Sequence, residues 1–449
     1  MHKIEIQKNE FKRLTMELSE LYQLYMQHPV ITTDSRNCPE GSIFVALKGE
    51  LFDGNKFAAS ALQQGCSYAV VDEPEYAEPG NGRYILVADA LVAFKQLARE
   101  HRRQFNIPVI GITGTNGKTT TKELVSAVLA ERFCVLHTEG NFNNDVGVPK
   151  TLLRIAPQHD IAVVEMGASH PGDITKLVEY VEPDCGLITN VGRAHLQGFG
   201  SFEGVMRTKG ELYDYLKRHD GLVFLNESND FLMQMATDRE LERIVSYGQS
   251  DLGNVQGEVV GCEPFLRFRW REQGGEWKEV QTRLIGAYNI DNMLAAIAVG
   301  LHFGITPAQA CHAIESYEPS NNRSQFEQTE HNQLIVDAYN ANPTSMAAAL
   351  DNFEQIKVSS PKMAILGDMR ELGQASAEEH QKIADRLGEL TDTEVWLVGE
   401  EFGRTQCGFR KFSNVEEVKA EIARRQPRGR CILIKGSNGI NLAQLPGLL

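Results

Sequence analysis

The sequence predicts an α/β protein of three domains with largely parallel sheets, and three observations carry that expectation. Short β-branched runs alternate with longer helix-like stretches. One of those runs leads straight into a glycine-rich loop and then a helix. The chain has 449 residues, 42% of them hydrophobic, and at roughly 100–200 residues per domain that supports about three separate cores.

The clearest strand runs are PVIGIT (108–113), DIAVVEMG (160–167), CGLITN (185–190), LIVDAYN (334–340), MAILGD (363–368), VWLVGE (395–400) and CILIKG (431–436). In each, the apolar core ends at Gly, Asp, Glu or Asn. Open α/β sheets bind ligands beyond the carboxyl ends of their strands, so these polar ends are candidate site positions. The basic stretch HRRQFNIP (101–108) and the Pro, Ser and Asn cluster YEPSNNRSQ (317–325) read as junctions. Segments 1–104, 105–316 and 317–449 result.

Composition removes some function classes. A formal net charge of −15 argues against a nucleic-acid binder, because phosphate-backbone affinity rests on clustered Lys and Arg. Charges interrupt the first residues, and no apolar run approaches the ~18 residues of a membrane span, so neither export nor insertion is indicated. Eight scattered cysteines without a C-x-x-C pair suit reduced thiols and a cytoplasmic setting. A monomeric small-molecule enzyme is the expectation.

The strongest local signal is VIGITGTNGKTTTKELVSAVL (109–129), a strand, a loop and a helix with Leu124, Val125, Val128 and Leu129 on one face. Such a loop turns its backbone N–H groups toward phosphate oxygens, and the helix N-terminus adds its dipole. Lys118 is placed for the β and γ phosphates and Thr119 for Mg²⁺. The spacing departs from the usual P-loop, since Ile112 stands where the first glycine belongs and Gly111 comes one residue earlier.

The run GTNGKTT, comprising Gly114, Thr115, Asn116, Gly117, Lys118, Thr119 and Thr120, resembles the nucleotide signature of the Mur ligases and their relatives the folylpolyglutamate synthetases. Members of that family use ATP to convert a carboxylate into an acyl phosphate, from which an amine displaces phosphate to form an amide. The resemblance implies three α/β domains: an N-terminal uridine-nucleotide-binding domain, a central P-loop ATPase domain, and a C-terminal Rossmann-like domain that closes on ATP.

It also implies site residues. Glu165, ending IAVVE, becomes an Mg²⁺ ligand, and TNVGRAHLQGFGSFEGVMRTKGELY (189–213) supplies the family's Asn, Ala-His and Lys-Gly-Glu elements. By that resemblance His195 lies beside a second Mg²⁺, with general-base action on the amine as an open alternative. Lys209 is the lysine that carries a carbamate in several members; an unmodified Lys209 holding the acyl phosphate is the competing reading. Asn144 and Asn292 match residues around the adenine, Arg323 the γ-phosphate contact and Asp337 the ribose contact. Closure of the last segment on ATP would place a hinge near 315–322.

The flanks imply the substrates. TTDSRNCPEG (32–41) is similar to the uridine domain of two family branches, with Ser35 and Arg36 near the UDP of the precursor; Gly49 and Asp53 follow as loop formers, and Gly54-Asn55 stands where Gly-His is usual. VDAYNANPTSMAAAL (336–350) and AILGDMRELGQASAEEHQKI (364–383) resemble the branch that joins D-alanyl-D-alanine to UDP-N-acetylmuramoyl-tripeptide, with Asn340 and Asn342 as dipeptide contacts. Ala338 and Asn438 replace the Ser and Arg found in many members. A ligase adding a single amino acid and a P-loop switch are the alternatives; the second would need neither Lys209 nor an amine acceptor.

Overall fold

The computed structural model describes residues 16–49, 52–319 and 325–449. Arg323, and residues 320–322 of the expected hinge, lie outside them. The described residues group into two compact units. The first combines residues up to Ile107 with Thr138–His159 and Lys176–Glu182; the second holds Pro108–His137, Asp160–Thr175 and Pro183–Leu449.

In the first unit, strands β1 (Ile31–Thr32), β2 (Ile43–Val45), β3 (Tyr68–Val71) and β4 (Tyr84–Leu86) form a parallel sheet in sequence order. The helix Ala90–Arg103 begins at the Asp89 side chain, which accepts from Val92 N at 2.8 Å. Its polar groups reach the two later segments of the unit. Lys95 pairs with Asp145 at 3.0 Å, a ring nitrogen of His101 meets the Ile155 carbonyl at 2.8 Å, and Arg99 pairs with Glu182 at 2.8 Å. Tyr25 adds a hydrogen bond to the Leu153 carbonyl at 2.7 Å.

The second unit carries two sheets. Strands β5 (Val109–Thr113), β6 (Val135–His137), β7 (Ile161–Glu165), β8 (Cys185–Ile188), β9 (Leu222–Asn226), β10 (Ile244–Gly248), β11 (Val255–Cys262), β12 (Phe265–Glu272) and β13 (Lys278–Ile285) lie in the order β13-β12-β11-β10-β9-β8-β5-β7-β6. Every residue of β5, β7 and β8 is buried, which is why these strands read as unbroken apolar runs. The chain lays β6 and β7 on one side of β5, then crosses to set β8 and β9 on the other. A crevice opens at such a reversal, beyond the carboxyl ends of β5 and β8.

Antiparallel β12 and β13 extend this sheet, an extension absent from the strand runs predicted by the sequence. Leu266, Phe268 and Trp270 are buried there, alternating with Arg267, Arg269 and Arg271. The second sheet, of β14 (Gln325–Gln328), β15 (Gln333–Asp337), β16 (Lys362–Gly367), β17 (Thr393–Val398), β18 (Arg410–Phe412) and β19 (Cys431–Lys435), has the order β14-β15-β19-β16-β17-β18; all its pairs but β14 with β15 are parallel. The eight cysteines are free thiols, and among the described residues no helix is long and apolar enough to cross a membrane.

Candidate active site at the P-loop

The loop between β5 and the helix Lys118–Ala130 holds its shape through contacts that only small residues permit. Gly114 has φ 143°, and a Cβ there would fall 2.0 Å from the Thr189 hydroxyl; Gly117 has φ 76°, and a Cβ would come within 2.8 Å of Asn292 Oδ1. The helix beneath is anchored by Leu124, Val125, Val128 and Leu129, all 0% exposed. Its first turn therefore directs backbone N–H groups out of the helix N-terminus, toward the space an anion can occupy.

The end of β8 braces the loop from the side. Thr115 N donates to the Asn190 carbonyl at 2.9 Å and Asn116 N to Asn190 Oδ1 at 3.0 Å, while Thr189 Oγ1 donates to the Asn116 carbonyl at 2.6 Å. Gly192 N donates to Thr115 Oγ1 at 3.0 Å. The Lys118 ammonium lies over the loop, 2.8 Å from the Gly114 carbonyl and 3.0 Å from that of Thr115. Thr119 donates to Glu165 Oε2 at 2.9 Å, and both side chains are buried, at 2% and 1% exposure. Thr120 follows in the same first turn.

Among the described residues no three His, Cys, Asp or Glu side chains gather as a metal-binding set. Mg²⁺ needs only one or two protein oxygens when phosphates and water complete its sphere, and the buried Thr119 and Glu165 oxygens at the phosphate loop fit that demand. Lys209 lies on the helix Phe202–Arg218, 2% exposed, with Nζ 3.4 Å from the Ala168 carbonyl and 5.5 Å from the Phe199 ring centroid. Burial, and then the Lys118 charge, push its pKa well below the usual lysine value, against the pull of Asp173, Glu211 and Glu165. His195 meets the Glu371 carboxylate through Nδ1, and that contact holds the Glu371 carboxyl below its ordinary range.

Several expected contacts are engaged within the protein. Asn292 is buried, accepting from Thr121 Oγ1 at 3.0 Å and donating to Asn289 Oδ1 at 2.8 Å. Asn144 belongs to the first unit, where its Oδ1 accepts from Val146 N at 3.2 Å and Gly147 N at 2.8 Å. Asp337, ending β15, pairs with buried Lys435 at 2.5 Å. Asn340 is exposed, its Oδ1 accepting from Ala341 N at 2.9 Å. In the first unit, Ser35 sits on the turn after β1, and Arg36 grips Asp34 at 2.9 Å, holding that carboxyl down at about 2. Asn55 donates to Asp53 at 3.0 Å and to Asp72 at 2.8 Å.

Asn342 joins the last sheet's first helix to the phosphate loop. Its Nδ2 donates to Asn116 Oδ1 at 2.7 Å, and its Oδ1 accepts from Asn116 Nδ2 at 3.5 Å and from Ser345 N at 2.9 Å, the cap of the helix Pro343–Gln355. Nearby, Arg193 N donates to Thr344 Oγ1 at 3.2 Å and its guanidinium reaches Glu379 at 3.3 Å. Asn342→Ala is expected to cost about 1–2 kcal/mol in denaturant unfolding, from the lost cap and amide pair. Combined with Asn116→Ala, the double variant should lose less than the sum of the singles; an additive result removes the pairing.

Matches with known families are consistent with this geometry. The Mur ligase family catalytic domain model matches residues 29–114, the Mur ligase middle domain 112–300, and the Mur ligase glutamate ligase domain 322–438. A UDP-N-acetylmuramoyl-tripeptide--D-alanyl-D-alanine ligase from Bacillus subtilis (strain 168) is 32% identical over 426 residues, covering 92% of each chain. The crystal structure of MurF from Acinetobacter baumannii is 31% identical with a TM-score of 0.84, covering 95% of this chain and 97% of that one. MurF ligase from Thermotoga maritima, solved in complex with ADP, is 26% identical with a TM-score of 0.84, covering 94% and 97%.

Proposed function

The chain belongs to the Mur ligase family, and from that premise we propose that it joins D-alanyl-D-alanine to UDP-N-acetylmuramoyl-tripeptide at the expense of ATP, in peptidoglycan synthesis. The observation that carries the reading is the likeness to ligases of that activity along 92% of the chain, with Lys118 and Thr119 at the phosphate loop and Glu165, from the end of β7, meeting Thr119 there. ATP binding accords with the ADP complex of the Thermotoga relative.

The chemistry divides into two displacements. A carboxylate oxygen of the tripeptide attacks the γ-phosphorus and ADP leaves, giving an acyl phosphate. The dipeptide amine then attacks the acyl carbon, phosphate departs, and the nitrogen gives up a proton. The loop N–H groups and Lys118 bind and orient the phosphates, placing the γ-phosphorus for in-line attack. Thr119 and Glu165 would hold Mg²⁺, which when bound neutralises charge on the phosphate oxygens; a second ion near His195 belongs to the same proposal.

The finer assignments follow the same premise. Residues 1–104 take the UDP precursor through Ser35 and Arg36, 105–316 take ATP, and 317–449 take the dipeptide. Asn144 and Asn292 attend the adenine, Arg323 the γ-phosphate and Asp337 the ribose. Asn340 and Asn342 are the dipeptide contacts, on a turn that Asn342 also joins to the phosphate loop, and Lys209 acts as a carbamate. The enzyme works as a monomer in the cytoplasm.

The test supplies ATP, Mg²⁺ and UDP-N-acetylmuramoyl-tripeptide and compares D-alanyl-D-alanine with single amino acids. Amide product is expected with the dipeptide alone, one ADP per bond formed. Product only with single amino acids, or phosphate release indifferent to any acceptor, would sink the assignment.

A further inference from the structure

Lys150 is the one residue of the helix Gly147–Leu152 that is not buried, so its stem runs outward from a packed helix. The loop before that helix folds back on it: a Cβ at Gly147 would fall 2.4 Å from Phe142 Cα, an approach that glycine alone allows. The same fold sets the Phe142 ring beside the Lys150 ammonium, with Nζ 5.7 Å from the ring centroid, where the ring face attracts a cation. Among the described residues the ammonium has no ion pair and no hydrogen bond; burial pushes its pKa below the usual lysine value, against the pull of the Asp34 charge. A cation partly withdrawn from water costs the fold free energy unless an anion meets it.

Asp34 is occupied elsewhere. Arg36 takes both of its carboxylate oxygens, Nε to Oδ1 and Nη2 to Oδ2 at 2.9 Å each, so that pair is neutral as a whole. Other cations of the first unit are matched as well: Lys48 by Asp72 and Glu73, Lys95 by Asp145, and Arg154 by Glu139. Of these basic side chains, Lys150 is the one whose charge is left over.

We infer that Lys150 is a further anion-binding residue of the first unit, its ammonium taking the diphosphate of the uridine precursor near the Asp34–Arg36 turn. The inference rests on the reading that this turn receives the UDP end of the precursor. Arg36 then keeps the turn in form through Asp34, while Lys150 supplies the uncompensated charge that a diphosphate requires. ATP carries the same phosphate chemistry, and the test separates the two sources.

Calorimetric titration of the full-length protein with UDP, uridine and ATP, without turnover, reads the site directly. Lys150→Met is expected to weaken UDP binding about 10–100-fold, the range for losing a hydrogen bond to a charged group, with uridine affinity, ATP affinity and the melting temperature unchanged. Lys150→Glu, which sets a like charge against the phosphates, should weaken UDP further. In turnover both variants should raise the KM for the precursor more than they lower kcat. Equal losses for the two variants, shared by uridine, mark a packing role and overturn the inference. A loss shared by ATP or confined to it gives the residue to the other nucleotide and overturns it too. Wild-type protein that binds UDP no better than Lys150→Met defeats the inference alone; wild-type protein that binds no UDP defeats the reading of the turn, and the inference with it.

Discussion

Replacing Lys118 with methionine is expected to reduce ligation by about 10²–10³-fold, the range seen when one preorganised charge-stabilising donor is removed from a reacting centre. Methionine keeps most of the stem, and although the ammonium's hydrogen bonds to the Gly114 and Thr115 carbonyls are lost, those that tie Thr115 and Asn116 to Thr189, Asn190 and Gly192 remain to hold the loop. The loss should fall on kcat more than on ATP affinity, because backbone N–H groups still hold the phosphates while charge on the transferring group goes unanswered. Steady-state ADP release together with nucleotide titration measures both. Activity within tenfold of the wild type would remove Lys118 from the chemistry.

Lys209→Ala carries the second large effect, an expected loss of about 10²-fold or more, with partial recovery on adding acetate or formate. The side chain is almost wholly enclosed, and burial lowers its pKa and so favours the neutral amine. A neutral amine attacks carbon dioxide: the N–C bond forms as one C=O π bond opens, a proton passes to water, and an anionic oxygen stands where the neutral amine was. That product suits a site already holding the Lys118 charge and offers the hard oxygen a divalent ion prefers. Recovery with short carboxylates would reproduce the missing oxygen; loss without recovery counts against the carbamate and favours an unmodified lysine, and full activity removes Lys209 from the chemistry. The sign of the pH effect follows. Below the ordinary lysine value the unfolded chain binds a proton that the folded site resists, so this residue opposes folding there, and its penalty fades as pH rises toward that value.

The parallel strands and the phosphate loop were legible because burial on both faces leaves one signal, an apolar run ending at a polar or glycine residue. β5, β7, β8, β15, β16, β17 and β19 all arise from such runs. The β11 to β13 extension was harder to see. Its strands are half exposed, and charged residues separate Leu266, Phe268 and Trp270; a search for period-two alternation would have marked RFRWRE. Lys118 and Thr119 could be placed from a strand-loop-helix context, and Glu165 from the family resemblance of the run that follows it. The contact of Glu371 with His195 and the pairing of Asn116 with Asn342 could not, since the partners lie 176 and 226 positions apart; Asn116 and Asn342 were each candidates from their own motifs, but nothing local joins one to the other. Arg193 and Glu379 escaped for the same reason.

The discontinuous make-up of the first unit also governs the order in which the chain can be built. Synthesis delivers the N-terminus first, yet Lys95, Tyr25 and His101 take their partners from Asp145, Leu153 and Ile155, and Arg99 from Glu182. A nascent chain that has released only its first hundred residues lacks the surfaces these side chains are made for. The full set of these contacts can form only after residue 182 has been made, by which point β5 and the phosphate loop have been made as well. A fragment cut at residue 104 is therefore expected to lack the partners that Tyr25, Lys95, Arg99 and His101 have in the whole chain.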